Sequence, residues 1–202
     1  MNDLNNDIID DGSYKLDVLF SEKMIRKRIE ELGQTITEDY RNIEKPLILI
    51  AMLKGSLYFL GDLSRAIDLN LTYDFMGIGS YAREESTTPI VRTTKDITLN
   101  IEDRDVLVVE EIIRTGLTTN YMIDYLKAFQ PRSISLCTLL FNEEQQLIDL
   151  PLKYSGFPID YTRVVGYGMD YKEWGRNLPF IAKLNPKEVP IRDIKRPRPK
   201  TV

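Results

Sequence analysis

The chain has 202 residues, is 43% hydrophobic and 29% charged, and carries a net charge of −4. That is the make-up of one globular domain and argues against a general nucleic-acid binder. It holds no histidine and one cysteine, Cys137. For the chain acting alone this excludes Ser-His-Asp triads, Cys-His dyads, histidine-ligated zinc, an internal disulfide and a CxxC redox pair. The remaining chemistry belongs to carboxylates, lysine, arginine, hydroxyls, backbone amides or an oxygen-ligated metal, a list that points toward phosphate chemistry.

Residues 1–13 are rich in Asp and Asn and lack a core pattern, so a frayed acidic start is expected. The first residues have neither a basic n-region nor an apolar h-region, and no apolar run approaches a membrane span. A cytoplasmic chain with no membrane partner is the expectation. One domain is expected over residues 14–185. Beyond it, Lys187, Arg192, Lys195, Arg196, Arg198 and Lys200 alternate with Pro186, Pro190, Pro197 and Pro199. That segment, 186–202, reads as a basic arm or, more plainly, as a solvated tail.

Within the domain, Met24, Ile25, Ile29, Leu32 and Ile36 recur at helical spacing and predict a helix over 21–40. The unbroken apolar run 46–53 predicts a strand buried on both faces of a parallel sheet. A helix over 56–67 and a strand over 71–78 follow. A buried strand at 106–109, a helix at 117–129, and strands at 133–141 and 163–167 complete the pattern. This alternation predicts an α/β fold, a mostly parallel twisted sheet flanked by helices. Ligands in such folds bind beyond the carboxyl ends of the strands.

Four strand ends carry chemistry. After 106–109 come Glu110 and Glu111, then Arg114, Thr115, Gly116, Leu117 and Thr118 opening a helix. Amides and hydroxyls at a helix N-terminus make an anion site, and adjacent acids suit sugar hydroxyls or a hydrated Mg2+. A Walker A loop is absent. Lys54-Gly55-Ser56 ends the first buried strand; alone, it is also a common helix start. Asp170 and Arg176, in the loop after 163–167, suit a metal and an anion, or simply a salt bridge with each other. The polar stretch 79–88, with Ser80 and Tyr81, reads as a lid or as a hairpin loop.

In this order, LKGS at 53–56, DFMGIGSYA at 74–82, VLVVEEIIRTGLTTNY at 106–121 and VVGYGMDYKEWGRNLPFIAKL at 164–184 resemble the hypoxanthine-guanine phosphoribosyltransferase family. The resemblance implies a class I phosphoribosyltransferase fold with a small hood built from the chain ends. It also implies Mg2+-dependent transfer from phosphoribosyl pyrophosphate to a 6-oxopurine, and a homo-dimer or tetramer. By position, Glu110 and Glu111 would hold the ribose hydroxyls and Mg2+, and residues 114–118 the 5′-phosphate. Lys54, Gly55 and Arg176 would meet pyrophosphate, and Asp170 a second Mg2+. Ser80 and Tyr81 would belong to the closing loop, and Arg163 and Val164 would border the base.

Four positions depart from the family pattern, three of them on the base side. Arg114 stands where the family has the aspartate beside purine N7, and arginine cannot act as a general base. Asn142 replaces the lysine that reads the 6-oxo group. Arg163 replaces the aromatic residue that stacks on the base, a role a guanidinium plane can also fill. Glu111, for the family's Asp, adds one methylene. The resemblance therefore implies a purine salvage enzyme. The departures leave two alternatives: a transferase for another, anionic base such as xanthine, or a nucleotide-binding regulatory or partner subunit without turnover.

Overall fold

The computed structural model describes residues 8–10, 15–81, 90–160 and 163–184. The chain divides into two compact units, residues 28–160 and residues 1–27 with 161–202. The basic segment 186–202 lies outside the described residues.

The larger unit is built on a six-stranded sheet. Its strands are β3 (Leu47–Leu53), β4 (Leu71–Tyr81), β5 (Ile90–Lys95), β6 (Asp105–Ile113), β7 (Ser133–Phe141) and β8 (Leu152–Pro158), in the order β5-β4-β3-β6-β7-β8. All neighbours pair in parallel except β4 and β5, which form an antiparallel pair at one edge. The central strands are apolar on both faces because both are covered. Ile48, Ile50, Val106, Val108 and Leu136 pack with Met122, Ile123 and Leu126 of α3 (Leu117–Lys127). Leu47, Leu49, Ala51, Leu107 and Val109, alternating with them along the strands, are equally buried.

The remaining helices are α1 (Glu22–Asp39) and α2 (Leu57–Ala66). Helix α1 buries Ile25, Ile29, Leu32 and Ile36, and α2 buries Phe59, Leu60 and Leu63. The two helices touch backbone to backbone at Gly33, where a Cβ would fall 2.5 Å from the Ala66 carbonyl oxygen.

Two strand assignments differ from the sequence reading. The last parallel strand is β8, not 163–167. Only Val164–Val165 of that stretch forms a strand, β9, and it belongs to the other sheet. Strand β8 exposes Lys153 and Pro158 at the sheet edge, which breaks the apolar pattern. Its Gly156 lies so close to β7 that a Cβ would fall 2.2 Å from the Leu139 carbonyl oxygen. Ser80 and Tyr81, assigned to a loop, lie at backbone level within β4, paired with Val91 and Ile90. The rest of that stretch, 82–88, is outside the described residues.

The second unit holds a four-stranded antiparallel sheet drawn from both chain ends: β1 (Ile8–Asp10), β2 (Lys15–Phe20), β10 (Ile181–Lys183) and β9, in the order β1-β2-β10-β9. Strand β1 falls inside the stretch expected to fray; pairing with β2 gives its backbone a ladder that local sequence does not announce. Leu16, Val165, Leu178, Phe180, Ala182 and Leu184 form this unit's core. Among the described residues no helix is long and apolar enough to cross a membrane.

Candidate active site

In the larger unit the chemistry gathers at the carboxyl ends of β3 and β6. Glu110 is buried at 5% exposure, and the Thr119 hydroxyl of α3 donates to its Oε1 at 3.0 Å. Burial first, and the neighbouring Glu111 charge second, push its carboxyl pKa well above the carboxylate range; the Thr119 hydrogen bond pulls the other way. The Glu111 carboxylate crosses to the β3–α2 turn. A Cβ on Gly55 would fall 1.9 Å from Glu111 Oε1 and 2.2 Å from its carboxyl carbon, so any side chain there would require the Glu111 carboxylate to move. In the same turn the Leu53–Lys54 peptide is cis and Lys54 is exposed. Ser56 is buried, and its hydroxyl donates back to the Met52 carbonyl instead of capping α2.

The turn from β6 into α3 presents Arg114, Thr115, Leu117 and Thr118 to solvent. Gly116, at φ 79, reverses the chain in the left-handed region, and no side chain caps α3. The carbonyl of Gly116 accepts the Asn120 amide at 2.8 Å, and that of Thr115 accepts the Leu147 amide at 3.1 Å. The turn is thus anchored by its carbonyls, while the first amides of the helix have no capping side chain. This is the arrangement that binds a phosphate. Replacing Gly116 with alanine strains a left-handed residue by about 1–2 kcal/mol. Its Cβ would also press on Leu150 Cδ1 at 3.0 Å. The expected result is a lower melting temperature together with weaker phosphate binding, measured by thermal unfolding with and without inorganic phosphate.

Asn142 is buried just beyond the end of β7, where its Oδ1 accepts the Gln145 amide at 3.0 Å and its backbone N–H donates to the Ile113 carbonyl at 3.0 Å. Its carbonyl end is therefore committed to the turn. It borders a cavity of about 310 Å³ that Glu143, Glu144, Pro158, Ile159 and Asp160 also line.

In the second unit, Asp170 and Arg176 are paired at 2.7 Å, with Arg176 also donating to the Gly168 carbonyl at 2.9 Å and Asp170 accepting the Glu173 amide at 2.8 Å. The Arg163 guanidinium lies 6.0 Å from the centre of the Tyr171 ring, and Val164 pairs with Lys183 in the sheet. The structure thus brings Gly55 to Glu111, Glu110 to Thr119, and Asp170 to Arg176.

One residue that positions the site's edge was missed. Asp74, within β4, is buried and accepts hydrogen bonds from Phe75 N, Lys95 Nζ, Thr98 N, Thr98 Oγ1 and Leu99 N. It ties the β4–β5 pair to the chain that leads toward β6. Its signal was a lone acid inside an apolar strand.

Residues 17–172 match the phosphoribosyl transferase domain family. The chain is 39% identical over 171 residues to a hypoxanthine-guanine phosphoribosyltransferase of Dictyostelium discoideum, covering 83% of this chain and 94% of that protein. The chain belongs to the hypoxanthine-guanine phosphoribosyltransferase family. A hypoxanthine phosphoribosyltransferase of Escherichia coli K12 is 37% identical over 171 residues, covering 85% of this chain and 96% of that one. A solved hypoxanthine-guanine phosphoribosyltransferase of Bacillus anthracis superposes with a TM-score of 0.78 at 40% identity, over 84% of this chain and 98% of that one.

Phosphoribosyltransferase chemistry implies Mg2+, and the strand-end carboxylates have the oxygen donors for it. Among the described residues no group of three or more His, Cys, Asp or Glu could hold a metal. Mg2+ binds through one or two carboxylates and takes further ligands from substrate oxygens and water. Glu110 and Glu111 are adjacent carboxylates near the end of β6.

Proposed function

We propose that this chain is a purine salvage phosphoribosyltransferase that converts hypoxanthine or guanine and phosphoribosyl pyrophosphate to the nucleoside monophosphate and pyrophosphate. The reading is carried by the end of β6, where two carboxylates lead into a left-handed Gly116 and an α3 N-terminus without a side-chain cap. A homo-dimeric or tetrameric state and a cytoplasmic location belong to the same reading.

In the reaction, the bond between ribose C1′ and the pyrophosphate oxygen breaks and the bond from the base nitrogen to C1′ forms. Residues 114–118 hold the 5′-phosphate, and Glu110 and Glu111 accept the ribose hydroxyls. Lys54, Gly55 and Arg176 receive the leaving pyrophosphate. Glu110 and Glu111 are the residues that would hold Mg2+, and Asp170 would help hold a second ion on the pyrophosphate side; the metal would supply charge to offset that of the leaving group. Keeping water from the carbocation-like centre, the role expected of Ser80 and Tyr81, belongs to the same reading. Arg163 and Val164 border the base. The proton lost by the base goes to solvent, because Arg114 cannot take it.

The cavity beside Asn142 bears on the choice of base. Its carboxylates, Glu143, Glu144 and Asp160, favour a neutral base bearing N–H donors and disfavour an anionic one. The test is pyrophosphate release from phosphoribosyl pyrophosphate and Mg2+ with a panel of bases. Guanine is expected to exceed xanthine by at least about tenfold in kcat/KM, since one unfavourable charge contact costs on the order of 1.4 kcal/mol. Faster turnover of xanthine would overturn this base assignment. Arg114 favours a second reading, a nucleotide-binding subunit without turnover. Silence across the panel with retained nucleotide binding would establish it.

A further inference from the structure

We infer that the backbone N–H of Gln145 fixes the Asn142 side chain as a one-way hydrogen-bond donor in the cavity wall, and that this lock decides which edge of a base the cavity accepts. The inference deepens the proposed salvage reaction and rests on the reading of this cavity as the place of the base. A side-chain amide carries an oxygen that accepts and an NH2 that donates, and an unconstrained one can turn either end to a ligand. Asn142 cannot. It is buried at 3% exposure, and its Oδ1 accepts the Gln145 amide at 3.0 Å. Turned over, it would set its NH2 against that N–H, two donors facing each other in a dry site.

The donor end is the one left over. Asn142 lines the cavity, and among the described residues its Nδ2 has no acceptor, not even the carboxylates of Glu143, Glu144 and Asp160 that line the same space. A buried donor without a partner is costly, and a ligand that brings an acceptor to it removes the cost. The turn that carries the lock is itself held. The Asn142 amide donates to the Ile113 carbonyl at 3.0 Å, the Gln146 amide to the Glu143 carbonyl at 3.3 Å, and the Leu147 amide to the Thr115 carbonyl at 3.1 Å. Gln146 Nε2 donates to the Ile148 carbonyl at 2.9 Å. Residues 142–147 are thus pinned at both ends to the chain that leaves β6, and the Gln145 amide cannot withdraw without breaking those bonds. A base with a carbonyl on the edge that meets Asn142 satisfies Nδ2. One with an amino group there brings a second donor and leaves both unpaired. Gln145 is the positioning residue, acting through Asn142.

Calorimetric titration with inosine 5′-monophosphate and with adenosine 5′-monophosphate tests this without requiring turnover. The first presents a carbonyl at the 6-position of the purine and the second an amino group. Wild type is expected to bind the inosine nucleotide about thirtyfold more tightly, the factor for a buried donor left without an acceptor. Asn142→Asp keeps the shape and the acceptor for the Gln145 amide but turns an acceptor to the cavity, so the ratio should fall to about one or invert. Gln145→Pro removes the N–H and frees Asn142 to turn over, which should bring the ratio to about threefold or less. A merely structural role would lower both affinities together and leave the ratio alone. An unchanged ratio in Asn142→Asp protein that melts like wild type overturns the inference. Should that variant not fold, an unchanged ratio in Gln145→Pro overturns it equally. Equal wild-type affinities overturn the lock and leave the nucleotide site standing. If wild type binds neither nucleotide, the reading of the cavity as the place of the base falls, and the inference with it.

Discussion

Replacing Asp74 with alanine is expected to cost about 3–5 kcal/mol of folding stability, the largest effect of any single substitution outside the central core. The buried carboxylate accepts bonds from the amides of Phe75, Thr98 and Leu99, from the Thr98 hydroxyl and from Lys95 Nζ at 3.1 Å. Removing it leaves several donors without an acceptor, each costing about 1–3 kcal/mol if it stays dry. Lys95 would keep only the Phe75 and Asp96 carbonyls, at 2.6 and 3.0 Å.

The same carboxylate sets a pH dependence. Burial works to raise its pKa, but the Thr98, Phe75 and Leu99 amides and the Lys95 ammonium outweigh burial and hold it far below the usual range. A folded-state pKa below the unfolded value gives stability that is present above the unfolded pKa and lost as pH falls below it. Urea unfolding of wild type should therefore weaken below about pH 4, the ordinary range of an unfolded aspartate. Asp74→Asn should start lower and lose less over the same interval. Equal acid slopes in the two proteins would contradict the assignment.

Exchanging Arg114 for aspartate is expected to raise hypoxanthine turnover by about a hundredfold, the low end of what a placed general base contributes. Arg114 lies three residues beyond Glu111 and is exposed in the turn that opens α3. As a permanent cation it can donate to a base nitrogen and stabilise a deprotonated base, but it cannot remove a proton. The wild-type pH profile should accordingly show no limb that reports the titration of residue 114. In Arg114→Asp the profile should level off above the carboxylate range, because the side chain then accepts the proton. Unchanged rate and unchanged pH profile would mean that position 114 does not face the base.

These two residues also mark how far the sequence was readable. Strands β3 and β6 were legible because a parallel strand covered on both faces is a continuous apolar run. The turn after β6 was legible because an acid pair, a glycine and threonines at a strand end have a direct chemical reading. Strand β8 was not: an edge strand carrying Lys153, Gly156 and Pro158 shows no period of either kind. The sheet of the second unit escaped for another reason. Its strands are short, and β2 and β10 are joined only by the fold, Phe20 meeting Ile181 across most of the chain. Asp74 is the clearest failure, since Lys95, Thr98 and Leu99 lie too far downstream for local pattern to pair them with it. Asn142 was legible only as the residue standing where the family's base-reading lysine would be; that its carbonyl oxygen accepts the Gln145 amide was not.

The central claim is that the phosphoribosyl half of the site works while the base half has been rebuilt. The most direct measurement is the stoichiometric conversion of guanine by the wild-type protein with phosphoribosyl pyrophosphate and Mg2+, following nucleotide and pyrophosphate together. The predicted result is their appearance one for one, abolished by Glu110→Ala and retained, at altered rate, in Arg114→Asp. No nucleotide from wild type or from Arg114→Asp, in protein that still folds and binds nucleotide, would contradict it.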